Sequence, residues 1–285
     1  MSEDLSDVAP DVPSDTLTLR GKRAFITGGA RGIGRAIALK LAQRGSAVVV
    51  ADAHPDPFSG ERYYRLKRRF SGDEEQISTT DAIRALGGEA MQLQLDVADA
   101  DAVNRAAETA RDAFGQIDIL VNNAGIVNNI ASIADMAADA WAHELQVNLS
   151  GAFHCTQALV PAMAEQGWGR VINISSVAAR QPGMGQPAYT ASKAGLAAFT
   201  QSIAQEFGAR GVTANAIMPG LMATPLVLSM PAELRQSMIA RTALQQLGTP
   251  EDIAELAAFL ASDAARFITA TAIPCDGGLL GAPLG

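Results

Sequence analysis

Short apolar segments that alternate with helical patterns are the feature that most constrains the fold of this chain. Seven of these segments are predicted to be strands, at residues 22–27, 47–51, 90–97, 117–121, 170–175, 213–217 and 268–274. The second, AVVVA, is apolar throughout, which is typical of parallel strands that are covered on both faces. Strands separated by helices predict an α/β fold, a doubly wound parallel sheet of about seven strands with helices on both faces.

The helical patterns and turn signals divide the chain into one domain with two additions. Helices are predicted from about 33 to 45, from near residue 80, and over 100–114, 137–166, 189–209 and 251–261. No repeat or linker splits residues 19–285, so we expect a single Rossmann-type domain there, preceded by a mobile tail over 1–18. An insertion at about 54–78 carries the basic run YYRLKRRF. It is either a solvated surface segment or a cover over the adenosine end that slows cofactor exchange.

Composition and charge exclude several classes of function. The chain has 285 residues and a net charge of −8, which disfavours a nucleic-acid partner. Neither Cys155 nor Cys275, nor the three histidines His54, His143 and His154, shows metal-ligand spacing, so no metal is expected. No apolar run is long enough to span a bilayer, and the acidic N-terminus is unlike a secretory signal. We therefore expect a cytoplasmic protein with no membrane association.

A glycine-rich turn lies between the first predicted strand and the first predicted helix. The segment runs from Thr27 to Gly34 and contains Gly28, Arg31, Gly32, Ile33 and Gly34. Glycines let the backbone approach a pyrophosphate, and the amides that begin the helix face its charge. The position of the turn, more than its glycine content, predicts a dinucleotide site.

Asp52 ends the second predicted strand, eighteen residues after Gly34. An acidic side chain at about this offset binds the ribose hydroxyls of NAD and repels the 2′-phosphate of NADP. Arg31 has the opposite tendency, since a guanidinium beside the turn can hold that phosphate. The sequence predicts NAD, with NADP as the alternative. A turn-forming Asp52 with no ligand role is a third interpretation.

Two further strand ends carry candidate cofactor contacts. Asp96 and Val97 follow the third strand, where the carboxylate of Asp96 could accept from the adenine amino group or cap the next helix. Asn123, Ala124 and Gly125 follow the fourth strand and would place small residues against the cofactor, unless they form an ordinary turn.

Tyr189 and Lys193 lie four residues apart on a predicted helix and so share a face. A phenol is a poor base at neutral pH, and a neighbouring ammonium is expected to lower its pKa. The pair could exchange a proton with an alcohol or ketone oxygen while a nicotinamide exchanges hydride. Ser176 follows the fifth strand and could polarise the substrate carbonyl, or cap a turn. Asn148 lies in an apolar helical stretch and must find polar partners there, a water being one.

In these motifs the chain resembles the short-chain dehydrogenase/reductase superfamily, in its single-domain form. The resemblance covers residues 20–279 and adds Pro219-Gly220 with Thr224, and Asp276-Gly277-Gly278, to the segments already described. Each motif is common alone, but their order and spacing together are highly specific.

The resemblance implies a role for each matching residue. Tyr189 would be the general acid/base, Lys193 would hold the nicotinamide ribose, and Ser176 would orient the substrate oxygen. Asn148 would hold a water in a proton relay, and Thr224, after Pro219 and Gly220, would bind the carboxamide. It also implies a homotetramer and catalysis without a metal.

The segment after Pro219 predicts the substrate class. It contains Leu221, Met222, Leu226, Val227, Leu228, Met230, Met238 and Ile239, with Ile126, Val127 and Met184 expected nearby. An apolar, Met-rich cover suits a hydrophobic alcohol or ketone, although these residues could instead pack the lid or a subunit contact. Arg180 is the candidate to clamp a substrate carboxylate.

We therefore expect an oxidoreductase that transfers hydride between NAD(H) and a hydrophobic secondary alcohol or ketone. Two alternatives stay open, an NADP-dependent carbonyl reductase and a catalytically silent nucleotide-sensing or scaffold protein. The complete set Asn148, Ser176, Tyr189 and Lys193 argues against the silent protein, because nucleotide binding alone needs no acid/base tyrosine.

Overall fold

A computed structural model of the chain describes residues 16–54, 77–127 and 130–281, and it confirms the doubly wound parallel sheet. The strands are β1 (Arg23–Thr27), β2 (Ala47–Asp52), β3 (Ala90–Gln94), β4 (Ile119–Asn122), β5 (Gly169–Ile174), β6 (Val212–Pro219) and β7 (Thr271–Cys275). All neighbouring strands pair in parallel, in the spatial order β3-β2-β1-β4-β5-β6-β7. The order reverses between β1 and β4, which is where open α/β sheets bind ligands.

Helices cover both faces of this sheet. In chain order they are α1 (Gly32–Gln43), α2 (Thr79–Ala85), α3 (Ala100–Phe114), α4 (Ala138–Leu145), α5 (Gly151–Glu165), α6 (Pro187–Phe207), α7 (Pro225–Leu228), α8 (Ala232–Ala240) and α9 (Pro250–Ala261). Asp99 caps α3 as predicted, since its carboxylate accepts a hydrogen bond from Ala102 N at 3.0 Å. In the described part of the chain, no helix combines the length and apolar character that a membrane span requires.

The alternation of side chains along each strand creates two hydrophobic cores. Ile26 and Val50 point to the face covered by α1 and α9, whereas Phe25 and Val49 point to the face covered by α3, α5 and α6. Successive strand residues face opposite sides of a sheet, so a strand buried on both faces must be apolar at nearly every position. The run AVVVA meets that requirement.

Most of the proposed tail and insertion lies outside the described residues. Positions 1–15 and 55–76 belong to this part, and with them the basic run YYRLKRRF. At the inner end of the proposed tail, the carbonyl of Thr16 accepts a hydrogen bond from Ala264 N at 3.2 Å. Leu19, the first residue assigned to the domain, is buried.

The long helix predicted over 137–166 is wrong in one respect, because a π-helical segment (Gln146–Ser150) separates α4 from α5. A π turn accommodates one extra residue and is often found at functional sites. Here it contains Asn148, whose buried amide bonds to a neighbouring loop and to α6. Apolar periodicity alone does not reveal this local widening.

A buried chain of polar side chains ties the sheet to α6. The Asn122 amide donates to Asn173 Oδ1 at 2.8 Å, and the Asn173 amide donates to Thr200 Oγ1 at 2.8 Å. Asn122 and Asn173 are register partners on β4 and β5. The contacts fix α6, and therefore the residues at its N-terminal end, relative to the carboxyl ends of the strands.

We predict that Asn173→Ala lowers the free energy of unfolding by about 2–4 kcal/mol. The substitution leaves the amide of Asn122 and the hydroxyl of Thr200 without these partners in a dry interior. Urea denaturation monitored by circular dichroism measures the change. Asn104→Ala, at an exposed position of α3, is the matched control and should change stability by less than about 0.5 kcal/mol. Equal effects in both variants would contradict the role assigned to this polar chain.

Candidate active site

A cleft of about 640 Å³ opens at the carboxyl edge of the sheet, around the switch point. Most of the residues predicted for the cofactor and the chemistry line it. They are Gly28, Arg31, Ile33, Gly34, Asp52, Asp96, Val97, Asn123, Ala124, Gly125, Ser176, Tyr189, Lys193, Pro219, Gly220 and Thr224. Gly32, with φ +54°, and Asn148 lie outside this lining. The sheet thus brings together residues that lie far apart in the sequence.

The glycine turn between β1 and α1 is held in shape by the loop after β4. The Asn123 amide donates to the carbonyls of Thr27 and Gly28 at 3.0 and 2.9 Å, while Thr27 Oγ1 accepts from the backbone of Asn123 and Ala124. Gly28 has φ +64°, and a Cβ at Gly34 would collide with the Gly28 carbonyl oxygen. These features fit a turn that lets a pyrophosphate approach the start of α1.

Asp52 and Arg31, which point to different cofactors, form an ion pair. The guanidinium of Arg31 lies 3.7 Å from Asp52 Oδ1. The Asp52 carboxylate is buried and accepts hydrogen bonds from Ala30 N at 3.1 Å and His54 N at 3.0 Å. The carboxylate is therefore anchored in the cleft wall, where its remaining acceptor capacity fits ribose hydroxyls.

Asp96 lines the cleft but does not cap the following helix. Its carboxylate accepts from Ala98 N at 2.9 Å in a turn of its own, and Asp99 provides the cap. The capping interpretation of Asp96 is therefore wrong, because Asp96 lies three residues before the cap position. Val97 is buried beside it.

Tyr189 lies in the first turn of α6, where Pro187 begins the helix. Ser176, which follows β5, lies beside its phenol, and both residues line the cleft. Burial raises the pKa of Tyr189, interaction with the Ser176 hydroxyl lowers it in part, and the negative charge of Glu144 raises it further. Ser176 also caps the short 3₁₀ turn Val177–Ala179 by accepting from Ala178 N at 3.1 Å, so its capping role is confirmed, whereas its role towards a substrate carbonyl stays a prediction.

Lys193 is buried one turn further along α6. Its ammonium donates to the carbonyl of Ile174 at 2.8 Å and lies 5.8 Å from the centre of the Tyr189 ring. Burial lowers the pKa of Lys193 to about 8, while Glu144 opposes this shift. We expected this ammonium to lower the pKa of Tyr189. That prediction is wrong, because the pKa is raised and desolvation of the phenol is the largest cause.

Asn148 holds the loop after β4 against α6. Its Oδ1 accepts from Ile126 N at 2.7 Å, and its Nδ2 donates to the Ile126 carbonyl at 2.9 Å and to Ser192 Oγ at 3.1 Å. A Cβ at Gly125 would lie 3.2 Å from Lys193 Nζ and 3.3 Å from Asn148 Oδ1. The buried Asn148 amide is thus fully hydrogen-bonded within the protein. The absence of a side chain at Gly125 leaves room for Lys193 and Asn148.

The substrate side of the cleft is partly as expected. Met222, Thr224, Val227, Ile126 and Val127 line it. The other predicted cover residues, Leu221, Leu228, Met230, Met238 and Ile239, are at least half-buried without lining it, which agrees with packing within the lid. The side chain of Leu226 lies outside the described part of the chain.

Two sequence predictions on this side are wrong. Met184 is 99% exposed and does not line the cleft. The guanidinium of Arg180 points to the carbonyl of Ala272 on β7, at 3.5 Å, and is also absent from the lining. Arg31 and Lys193 are therefore the cations that line the described cleft, and neither is placed as a clamp for a substrate carboxylate.

Residues of α4 and of the π segment also belong to the site, although they were not predicted for it. His143 and Val147 line the cleft, and the buried Glu144 acts on both Tyr189 and Lys193. Their spacing was a usable signal, since His143 and Val147, like Glu144 and Asn148, lie four residues apart.

Within residues 16–54, 77–127 and 130–281, no group of three or more His, Cys, Asp or Glu side chains could hold a metal.

Comparisons with known proteins identify relatives of this chain among the reductases. A family model described as enoyl-(acyl carrier protein) reductase matches residues 28–280. The chain is 36% identical to the 3-oxoacyl-[acyl-carrier-protein] reductase of Staphylococcus aureus over 259 residues, covering 90% of this chain and 98% of the relative. It is 38% identical to the 3-oxoacyl-[acyl-carrier-protein] reductase of Synechocystis over 263 residues, covering 92% and 98%.

Solved structures show the same likeness. A putative short-chain dehydrogenase/reductase from Burkholderia xenovorans superposes with a TM-score of 0.81 at 33% identity, covering 93% of this chain and 98% of that one. A putative short-chain alcohol dehydrogenase from Sinorhizobium meliloti gives a TM-score of 0.82 at 33% identity, covering 94% and 100%. The chain is therefore an oxidoreductase that belongs to the short-chain dehydrogenase/reductase superfamily, whose members use a nicotinamide cofactor.

Proposed function

We propose that this protein interconverts a hydrophobic secondary alcohol and the corresponding ketone, with NAD(H) as the cofactor. The observation that carries the proposal is the half-buried Tyr189, which lies beside Ser176 and one helical turn from Lys193 in the cleft. This arrangement offers a proton to an oxygen atom that both hydroxyls can reach, as carbonyl reduction requires.

The roles of the side chains follow from their protonation states. In the reductive direction, Tyr189 donates its phenolic proton to the substrate oxygen while Ser176 polarises the carbonyl. In the oxidative direction the phenolate accepts the alcohol proton, and Lys193 stabilises the negative charge. A bound nicotinamide cofactor supplies or accepts the hydride at the carbon atom. Asn148 would hold a water that passes protons towards Lys193.

Asp52 supports NAD as the cofactor. Its carboxylate is fixed at the end of β2 by two backbone amides, and the 2′-phosphate of NADP would meet this negative charge. Arg31, the residue that favours NADP, is held by the same carboxylate at 3.7 Å. The ion pair therefore opposes a phosphate at this position.

The apolar cleft wall supports a hydrophobic substrate. Met222, Val227, Ile126 and Val127 line the same cleft as Tyr189, and among the described residues no further Arg or Lys joins Arg31 and Lys193 in the lining. The name shared by the bacterial relatives supports a second candidate, reduction of the 3-oxo group of an acyl chain carried by a carrier protein. Both candidates are ketone reductions and need the same proton donor. A homotetramer and a cytoplasmic location stay predictions.

We predict that Tyr189→Phe lowers kcat by about 10²–10⁴-fold and leaves nucleotide binding intact. The substitution removes the proton donor but keeps the ring that packs in the cleft. Absorbance of the reduced nicotinamide measures turnover, and thermal stabilisation by nucleotide checks binding. Full activity in the variant would overturn the assignment. Absence of turnover in the unsubstituted protein, despite nucleotide binding, would favour the nucleotide-sensing alternative.

We predict that Asp52→Asn reduces the preference for NAD over NADP by at least about tenfold. The amide keeps an oxygen acceptor for the backbone but removes the charge that opposes a phosphate and pairs with Arg31. The ratio of kcat/KM for the two cofactors reports the effect. Asp96→Asn removes a second carboxylate from the same cleft and should leave the ratio unchanged. A preference for NADP in the unsubstituted protein would contradict the cofactor assignment.

We predict that ketones with longer apolar groups have higher kcat/KM values than small or charged ones, by about tenfold for each two buried methylene groups. Aliphatic, aromatic and polycyclic ketones form the first panel, and 3-oxoacyl thioesters of matched chain length form the second. A thioester advantage over the matched ketone would favour the acyl-chain candidate. Equal values for apolar and carboxylate-bearing ketones would contradict the hydrophobic assignment.

A further inference from the structure

Glu144 places a carboxylate in the protein interior close to the proposed catalytic pair. It lies near the end of α4 and is 1% exposed. Its neighbour His143 lines the cleft, and Asn148 follows one turn later in the π segment. Carboxylates are seldom fully buried, since removing a charge from water is costly, so a buried one calls for a specific role.

The packing of α4 and the π segment brings Glu144 to the side of α6 that carries the catalytic pair. α4 and the π segment both pack on α6. Asn148 fixes the contact through its hydrogen bond to Ser192, the residue before Lys193. Residues four apart on a helix share a face, so Glu144 and Asn148 are directed to the same part of α6.

Helix α4, the π segment and α6 carry few ionisable side chains besides Glu144. α6 presents Tyr189 and Lys193 to it, and the third ionisable residue of α6, Glu206, lies more than three turns away near the opposite end. The π segment has no charged side chain, and the other ionisable residues of α4 are Asp139, which is exposed, and His143 in the cleft. Glu144 raises the pKa of both Tyr189 and Lys193, the direction expected for a nearby negative charge.

We propose that Glu144 is a positioning residue that keeps Lys193 as an ammonium and Tyr189 as a neutral phenol, so that the resting site is prepared to donate a proton. This inference rests on the proposed function only for its consequence, a bias of the site towards ketone reduction. A phenol is the form required for reduction, whereas oxidation requires the phenolate. The carboxylate acts through the charge state of its two neighbours and touches no reacting atom.

The direct test is titration of Tyr189 in the cofactor-free protein. The chain has three tyrosines, so the tyrosinate absorbance of each protein minus that of its Tyr189→Phe counterpart isolates one phenol. In Glu144→Gln the negative charge is lost, and the midpoint for Tyr189 should move down by about one pH unit. Glu144→Asp, which retains the charge, should keep the midpoint close to that of the unsubstituted protein. Asp139→Asn removes an exposed charge from the same helix and should leave it unchanged.

Two neutral variants are used, so that the test can still be decided if one of them fails to fold. Glu144→Leu removes the charge with an apolar side chain that tolerates burial, and its Tyr189 midpoint should fall as that of Glu144→Gln does. Thermal melts identify any variant that fails to fold, and the other neutral variant then decides. A midpoint that is the same in the folded neutral variant and in Asp139→Asn would overturn the proposal.

The kinetic consequence separates this proposal from the proposed function. In Glu144→Gln, the pH above which reductive kcat/KM declines should move down, and the ratio of oxidative to reductive kcat at neutral pH should rise several-fold. KM for the nucleotide should not change. If the unsubstituted protein turns over no ketone, the proposed function fails, while the tyrosinate titration still decides the role of Glu144. If turnover is normal and the titration midpoint does not move, only the role of Glu144 fails.

Discussion

The burial of the Lys193 ammonium is the constraint on which the site depends. An ammonium that leaves water loses several kcal/mol of solvation unless acceptors and negative charge replace it. The Ile174 carbonyl at the end of β5 provides the acceptor, and Glu144 on α4 provides the charge. Because these partners come from a strand and from a second helix, α4, α6 and β5 must all be in place before the lysine is stable in its position.

The same constraint explains the irregular backbone around the lysine. Asn148 must face both Ile126 and Ser192, and the π segment gives its side chain that direction. Gly125 must be small because Lys193 and Asn148 approach within 3.2 and 3.3 Å of the position that its Cβ would take. The π turn and Gly125 are each unfavourable for the local backbone. The hydrogen bonds of the buried polar groups offset this cost.

The strands and the residues at their carboxyl ends could be predicted because both follow from local rules. Buried parallel strands are apolar runs, and residues that follow such runs meet at one edge of the sheet, as Asp52, Asn123 and Ser176 do. The direction of a long side chain does not follow from its place in the sequence. Arg180, directly after the 3₁₀ turn that follows Ser176, points to the Ala272 carbonyl, and Met184 points into solvent. Glu144 was not predicted as a site residue, because a carboxylate on a helix is usually solvated. Only the packing of α4 on α6 shows that this one is buried.

The buried charge of Asp52, at the other end of the cleft, is stabilised in a different way from that of Lys193. Asp52 is as buried as Lys193, yet two backbone amides and the Arg31 guanidinium satisfy it locally, so its position depends on β2 and the glycine turn alone. Lys193 instead lies next to an ionisable phenol, which under the proposed function changes its protonation state in each catalytic cycle. The Asp52 carboxylate can therefore be static, whereas the Glu144 carboxylate, in the role proposed for it, influences how readily the phenol loses its proton. Two buried carboxylates, Asp52 at the end of β2 and Glu144 on α4, thus have separate proposed roles, the first in the choice of cofactor and the second in the direction of proton transfer.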